Sequence, residues 1–428
     1  RRSWGGCDMS KFVKLSSIAE LTVGFVGTMA KHYEDEGIPF LRSLNIKPFK
    51  IISDDMKYVS AEFSNSLSKS ILHKGDVVIV RTGIPGTCCV VPAEYDGCNC
   101  SDVVIVHPNT ELVNPHYLAA YINFWGQRQI QNNKVGAIQQ HFNVHSAEEM
   151  LIFLPDITEQ EKIAKTIVAL NGKIENNFSV CVELEAMAKT LYDYWFTQFD
   201  FPDENGKPYC SSGGEMVWND QLKREIPKRW DVRPLSHVIS SINTGLNPRD
   251  NFILGNGDIQ YLTVKNLTTS GTIDFSGCDT VDEQAREIIH KRSDVSVGDI
   301  LFASIAPLGR CYLIQNPPEK WDINESVFSI RRNASRVTSE FLYMYFISDT
   351  FIKAATSSST GSIFKGIRIN TLLDIAAVIP PKDIVTAFTT QVKTLLALKE
   401  QKGTENRELT KLRDWLLPML MNGQATVE

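Results

Sequence analysis

Asn316-Pro317-Pro318-Glu319 is the stretch of this chain that comes nearest to a catalytic motif. In an Asn-Pro-Pro-aromatic element, the asparagine and the backbone hold the amino group of an extruded adenine while the aromatic ring stacks on it. Here the aromatic is missing, no glycine-rich cofactor loop precedes the element, and it has no counterpart elsewhere in the chain. Other catalytic sets are equally incomplete. There is no GxxxxGK(S/T) phosphate loop, and His141 and His145, at i and i+4, lack the glutamate of a zinc-protease helix. Cys88, Cys89, Cys98 and Cys100 crowd one region without zinc spacing or a histidine pattern beside them. Asp54-Asp55 and Glu148-Glu149 read as solvated surface. No catalytic residue and no metal site is therefore expected. What remains is a set of hydrogen-bonding side chains in Gly/Asn-rich loops: Arg42, Asn45, Lys47, Arg81, Thr82, Gln139, Gln140 and His141, then Lys265, Asn266, Ser304, Arg310, Lys365 and Arg368.

The elements that carry these loops occur twice. Residues 73–91 read HKGDVVIVRTGIPGTCCVV and residues 296–314 read SVGDILFASIAPLGRCYLI. Each is a Gly-Asp turn, an apolar run, a Gly/Pro-interrupted loop and a second apolar run, which reads as strand, loop, strand. Gly75, Gly86 and Cys88 match Gly298, Gly309 and Cys311 at an offset of 223. Upstream, Leu41 and Asn45 match Leu262 and Asn266 at 221; downstream, Asn99, Ser101, Gly136 and Pro155 match Asn324, Ser326, Gly361 and Pro380 at 225. A slow drift of this kind is what short loop insertions leave in a duplicated domain. Because Asn45 and Asn266 stand at matching places, capping of a local turn is the better reading of both.

Composition is that of an ordinary water-soluble protein with full-sized cores, 43% apolar and 22% charged over 428 residues. No apolar stretch is long enough to cross a bilayer, and the opening RRSWGGCDMSKF lacks the apolar run of a secretion signal, with Met9 an alternative start. Nine cysteines without framework spacing point to a reducing cytosol, so a cytoplasmic location is expected.

After Pro155, the residues Ile163, Ile167, Leu170, Ile174, Asn177, Cys181, Leu184, Ala188, Leu191 and Trp195 fall at alternating spacings of four and three. That is a heptad seam with one polar position, and a helix from Thr158 to Gln198 would be on the order of 60 Å long. It needs a partner of equal length. The segment 383–423 supplies one, with Leu395, Leu398, Leu409, Leu412, Leu416 and Met419 as its expected seam. The two helices are expected to pair within the chain as an antiparallel coiled coil, with pairing to another chain as the alternative. The expected layout is a first copy of the duplicated domain over 10–157, a helical spacer over 158–200, a connector over 201–229, the second copy over 230–381 and a second spacer over 382–423.

At the connector the chain resembles a known family. Asp200-Phe201-Pro202, Asn205-Gly206-Lys207-Pro208, Ile226-Pro227 before Trp230, and the ending Trp415-Leu416-Leu417-Pro418-Met419-Leu420 with Asn422-Gly423 resemble the specificity subunits of type I restriction-modification systems. The resemblance covers nearly the whole chain. It implies a mixed α/β fold of tandem target-recognition domains separated by the paired helices, and a non-catalytic DNA-binding subunit. It also implies two modification subunits that bind S-adenosylmethionine and methylate adenine N6, restriction subunits with motor and nuclease activity, and no membrane partner. The seam residues named above would then also carry or flank the docking faces for those subunits.

A duplicated module on a rigid spacer suits a duplex read at two places, since one face of the major groove recurs every turn, roughly 34 to 36 Å. Arg and Lys suit guanine edges, and Gln or Asn suits adenine, although for each candidate taken singly a phosphate contact or a plain surface group is the better reading. Charge argues the other way. Residues 10–155 hold 12 Lys/Arg against 14 Asp/Glu, residues 230–381 hold 14 against 16, and the chain's formal charge is −6. Tight salt-driven binding by the chain alone is not expected. The alternative is a structural adaptor that joins proteins through its long helices and reads no DNA.

Overall fold

The computed structural model describes residues 11–126, 129, 142–249, 251–359 and 366–421. The chain forms two compact units, Arg1–Glu175 with Arg407–Glu428, and Asn176–Asn406. Each contains one copy of the duplicated domain.

In the first unit the repeated stretch is an antiparallel hairpin, Val77–Val80 with Cys88–Val90. It belongs to a four-stranded antiparallel sheet in the order Ala19–Val23, Val103–Pro108, Val77–Val80, Cys88–Val90. The unbroken run Val-Val-Ile-Val is explained by burial on both faces. Strand alternation sends Val77 and Ile79 into a core with Val104, Tyr117 and Leu118, and Val78 and Val80 into another with Leu41, Val103 and Ile105. A three-stranded sheet places Ile38–Leu41 between Lys57–Val59 and a parallel partner, Asn99–Cys100. Phe12–Lys14 pairs with Leu151–Phe153 and so closes the domain's two ends on each other.

The second unit repeats every one of these pairings. Its four-stranded sheet runs Ile239–Thr244, Val327–Arg332, Ile300–Ala303, Cys311–Leu313. Its three-stranded sheet sets Ile259–Leu262 between Asp279–Val281 and the parallel Trp321–Ile323, and Asp231–Pro234 closes on Ala376–Ile379. Again alternation divides the hairpin strand: Ile300 and Phe302 enter one core, Leu301 and Ala303 another. The connector adds a hairpin, Met216–Asn219 with Arg224–Pro227, and an aromatic stack in which Phe199, Phe201 and Phe196 surround Trp230.

The long helices are Ile157–Tyr192, continued by a wider turn over Asp193–Thr197, and Lys382–Met421. They pair antiparallel inside each unit. In the first, Ile163 and Ile167 share a core with Leu417, Leu420 and Met421, and Arg413 donates to Asn171 at 3.0 Å. In the second, Cys181 faces the Lys399 carbonyl at 3.4 Å, while Tyr192, Trp195 and Phe196 pack around Phe388.

On the first helix the buried stripe runs through Ile163, Ile167, Asn177, Cys181, Leu184, Ala188 and Trp195, with Leu170, Ile174 and Leu191 half-buried. The second helix departs from the expected seam. Its buried positions are Val385, Phe388, Val392, Leu396, Lys399 and Glu400, then Leu417, Leu420 and Met421. Leu398 and Leu412 are exposed, and Leu395, Leu409, Leu416 and Met419 are half-buried flanks. The physical reason is that the middle of this seam is polar, so apolar spacing alone leaves the register open by one residue. Lys399 and Glu400 hold core positions through ion pairing and hydrogen bonding rather than hydrophobicity.

Candidate nucleic-acid interface

In each copy a short turn follows the central strand of the three-stranded sheet, and one asparagine ties it. Asn45 accepts from the Arg42 amide at 3.1 Å and donates to the carbonyls of Ile52 and Asp54 at 3.2 and 3.0 Å. Asn266 accepts from the Thr263 amide at 2.8 Å and donates to the Asp274 carbonyl at 2.9 Å. Both asparagines are buried, so they shape the turn and are not displayed to a ligand.

In each unit the hairpin stretch is tied to the chain just after the second polar segment, by different contacts. The Arg81 side chain donates to the Phe142 carbonyl at 3.2 Å. In the second copy the Ile367 amide donates to the Ser304 carbonyl at 2.9 Å, and Ile305 bridges Gly366. In both domains the hairpin stretch is thus tied to the first described residues after the second polar segment, Phe142 in one and Gly366 and Ile367 in the other. Gln139, Gln140, His141 and Lys365, which belong to the second loop of each copy, lie outside the described residues.

The other candidates divide into displayed and committed groups. Lys47, Lys265 and Arg368 are exposed. Arg310 is half-buried, and its buried Nε has no hydrogen-bond partner among the described residues. Ser304, expected on the loop surface, is buried; its hydroxyl donates to the Ser326 carbonyl at 2.7 Å and fixes the loop root. Thr82 donates to the Asp102 carboxylate, which also accepts from Ser43 at 3.2 Å. Arg42 lies 5.9 Å over the Tyr33 ring and donates to Asp55 at 2.9 Å; Lys57 and Arg42 together hold the Asp55 carboxyl down to about 2. Ser304, Thr82 and Arg42 thus organise loops as they stand.

One contact escaped sequence reasoning altogether. The loop after the tied turn seats each domain on the long helices of its own unit. In the first, Lys50 pairs with Glu175 at 2.8 Å, and Arg413 lies 5.2 Å over Phe49. At the matching place in the second, Gly271 has a positive φ of 60° and packs against Tyr343, Glu185 and Lys399, so closely that any Cβ would collide with all three. Lys399 donates to Glu185 at 2.7 Å and to the Tyr343 hydroxyl at 3.0 Å, and Tyr343 donates to Glu185. The partners differ completely between copies, so no shared motif marks the loop. Asn316, the catalytic-looking residue, donates to Glu400 at 3.2 Å. Among the described residues no His/Cys/Asp/Glu cluster is placed to hold a metal, and no helix is long and apolar enough to cross a membrane.

Twin domains of one fold, each with a polar hairpin loop and each seated on paired helices, define a tandem-domain protein. The chain belongs to the type I restriction modification DNA specificity domain family, whose model matches residues 8–185 and 227–410. It is 27% identical to the MjaIX type I restriction enzyme specificity subunit of Methanocaldococcus jannaschii, over 66% of this chain but 62% of that relative's length. It is 23% identical to the HindI specificity subunit of Haemophilus influenzae over 86% of this chain and 91% of the relative. The fold is shared with the crystal structure of a type I restriction-modification S subunit from M. genitalium, at 15% identity and a TM-score of 0.53 over 98% and 97% of the two chains.

Proposed function

We propose that this chain is the DNA-specificity subunit of a type I restriction-modification complex, reading a two-part site with one half-site assigned to each recognition domain. The observation that carries this is the repetition of one fold, pairing for pairing, with different polar residues at matching loop positions. Structural devices such as the tied asparagine persist between copies, while displayed side chains do not. That division is expected when one scaffold reads two different sequences.

In this reading the chain performs no catalysis and binds no cofactor. Two modification subunits dock on it, bind S-adenosylmethionine and methylate adenine N6, one in each half-site; restriction subunits join the same assembly. The division of labour has a physical basis, since one subunit extrudes a base while another holds the register on the unbroken flanks. The formal charge of −6 fits a chain that relies on its partners for much of the phosphate contact. Assembling the chain with its modification subunit and selecting from a randomised duplex pool tests the proposal. Enrichment of a split motif with a fixed gap is the expected result, and a complex that forms but selects nothing would point to an adaptor.

A further inference from the structure

In the second unit the helix Glu283–Ser293 flanks the edge strand Ile239–Thr244 and leaves a cleft of about 630 Å³ between them. Asn243, Glu287, His290, Lys291 and Arg292 line it. Glu283, Arg286 and Asp294 line it too, but these are already engaged: Glu283 pairs with Arg286 at 3.0 Å, and Asp294 pairs with Arg331 at 2.8 Å. Lys291 and Glu287 have no ion-pair partner among the described residues, and Lys291 and Arg292 are exposed.

Strand register fixes where the cleft opens. Thr244 and Phe302 both stand beside Phe328, one on each side, so they lie two strand spacings or about 10 Å apart. Arg292 donates from Nε to the Thr244 hydroxyl at 3.2 Å, and Phe302 is two residues before the hairpin loop that starts at Ser304. The cleft and the hairpin loop therefore share one end of one sheet.

Comparison of the copies separates scaffold from display. At the matching place after Lys57–Val59 the first copy has a helix of 6 residues, Ala61–Ser66, with no basic side chain in its last turn. The second copy's helix has 11 residues and ends in His290, Lys291 and Arg292. The anchor beneath is retained in altered form, and strand pairing, which sets Asn99 beside Phe40 and Asp322 beside Tyr261, matches Asn99 to Asp322 and not to the Asn324 that sequence spacing pairs with it. In the first copy buried Asn99 bonds Ser64 and Ser70 at 2.8 and 2.5 Å; in the second buried Asp322 bonds Ser293 and His290 at 2.6 and 3.1 Å. His290 is thereby tied to Asp322, and the last turn carrying Lys291 and Arg292 is fixed on the buried carboxylate.

Resting on the DNA-reading function proposed above, we propose that this cleft is a base-reading element of the second half-site, with Arg292 and Lys291 as donors to guanine and Glu287 as acceptor from cytosine. A phosphate clamp would need cations alone, because a carboxylate beside a phosphate is repelled. Donors and an acceptor side by side instead match the edge of a G·C pair, which offers guanine O6 and N7 with cytosine N4. The mixed character of the cleft is also why the domain's charge gave no hint of it.

The test uses the full chain assembled with its modification subunit and selection from a randomised duplex pool. Arg292→Gln and Lys291→Gln, made singly and together, should relax a G·C preference in one half-site by about tenfold or more. The other half-site should be unchanged, and Arg292→Lys should retain part of the preference. Both side chains are exposed, so thermal melting of the variants should match that of the parent. Equal weakening across all sequences would make these residues phosphate contacts and overturn the inference, as would unaltered selectivity. A parent complex that selects no sequence would overturn the underlying function instead, and with it this assignment.

Discussion

Lys399 offers the sharpest stability test of how a recognition domain is seated. Its side chain is buried, 5% exposed, and its carboxylate partner Glu185 is 13% exposed. Exchange of Lys399 for methionine keeps most of the side-chain volume but leaves Glu185 facing only the Tyr343 hydroxyl. Removing one partner of a buried pair costs about 3 to 5 kcal/mol, since the remaining charge keeps its desolvation penalty without the compensating attraction. The Tyr343 hydrogen bond and the slight exposure of Glu185 place the expected loss at the lower end, about 3 kcal/mol. For a unit of this size that lowers the melting temperature by roughly 6 to 12 °C. Urea unfolding of the full chain, following the transition of the unit that contains Trp195 and Trp230, reads the loss directly. Adding Glu185→Leu removes the stranded charge and should recover most of the stability, because a buried pair replaced as a whole is often close to neutral. The reasoning is refuted if Lys399→Met costs less than about 1 kcal/mol, which would mean water screens the pair. It is equally refuted if the double variant is no better than the single, which would assign the loss to packing.

Three further outcomes are expected. His107 bonds the buried Asp76 carboxylate at 2.8 Å, which raises its pKa above the usual imidazole value. A raised folded-state pKa gives stability that is fully present below about 6.5 and lost as pH rises through the folded value, so the first unit should melt higher at mildly acidic than at mildly alkaline pH, and His107→Gln should flatten that slope. Asn316→Ala should remove the bond to Glu400 for a loss of about 1 kcal/mol while leaving methylation by the assembled complex intact; abolished methylation in a folded complex would return the Asn-Pro-Pro element to catalysis. Replacing residues 230–381 with the equivalent domain of another specificity subunit should change one half of the selected motif, and changes in both halves would show that the domains read jointly.

The sequence by itself determined the duplication, the hairpins at Val77–Val80 and Ile300–Ala303, the existence of both long helices, and the turn-tying role of Asn45 and Asn266. These are legible because strand alternation, heptad spacing and turn chemistry are local, and because a second copy at a steady offset repeats whatever the scaffold requires. Which polar side chains remain on display was decided by tertiary structure. Ser304 and Thr82 look like loop-surface donors until Ser326 and Asp102, residues 20 or more positions away in the chain, take up their hydroxyls. The seam of the second helix slipped by a residue because Lys399 became a core residue only through Glu185, 214 positions distant. The cleft beside Arg292 lay hidden for the same reason: its walls are a strand and a helix some 48 residues apart, and a hydrogen-bond partner at that distance leaves no periodic trace in the chain.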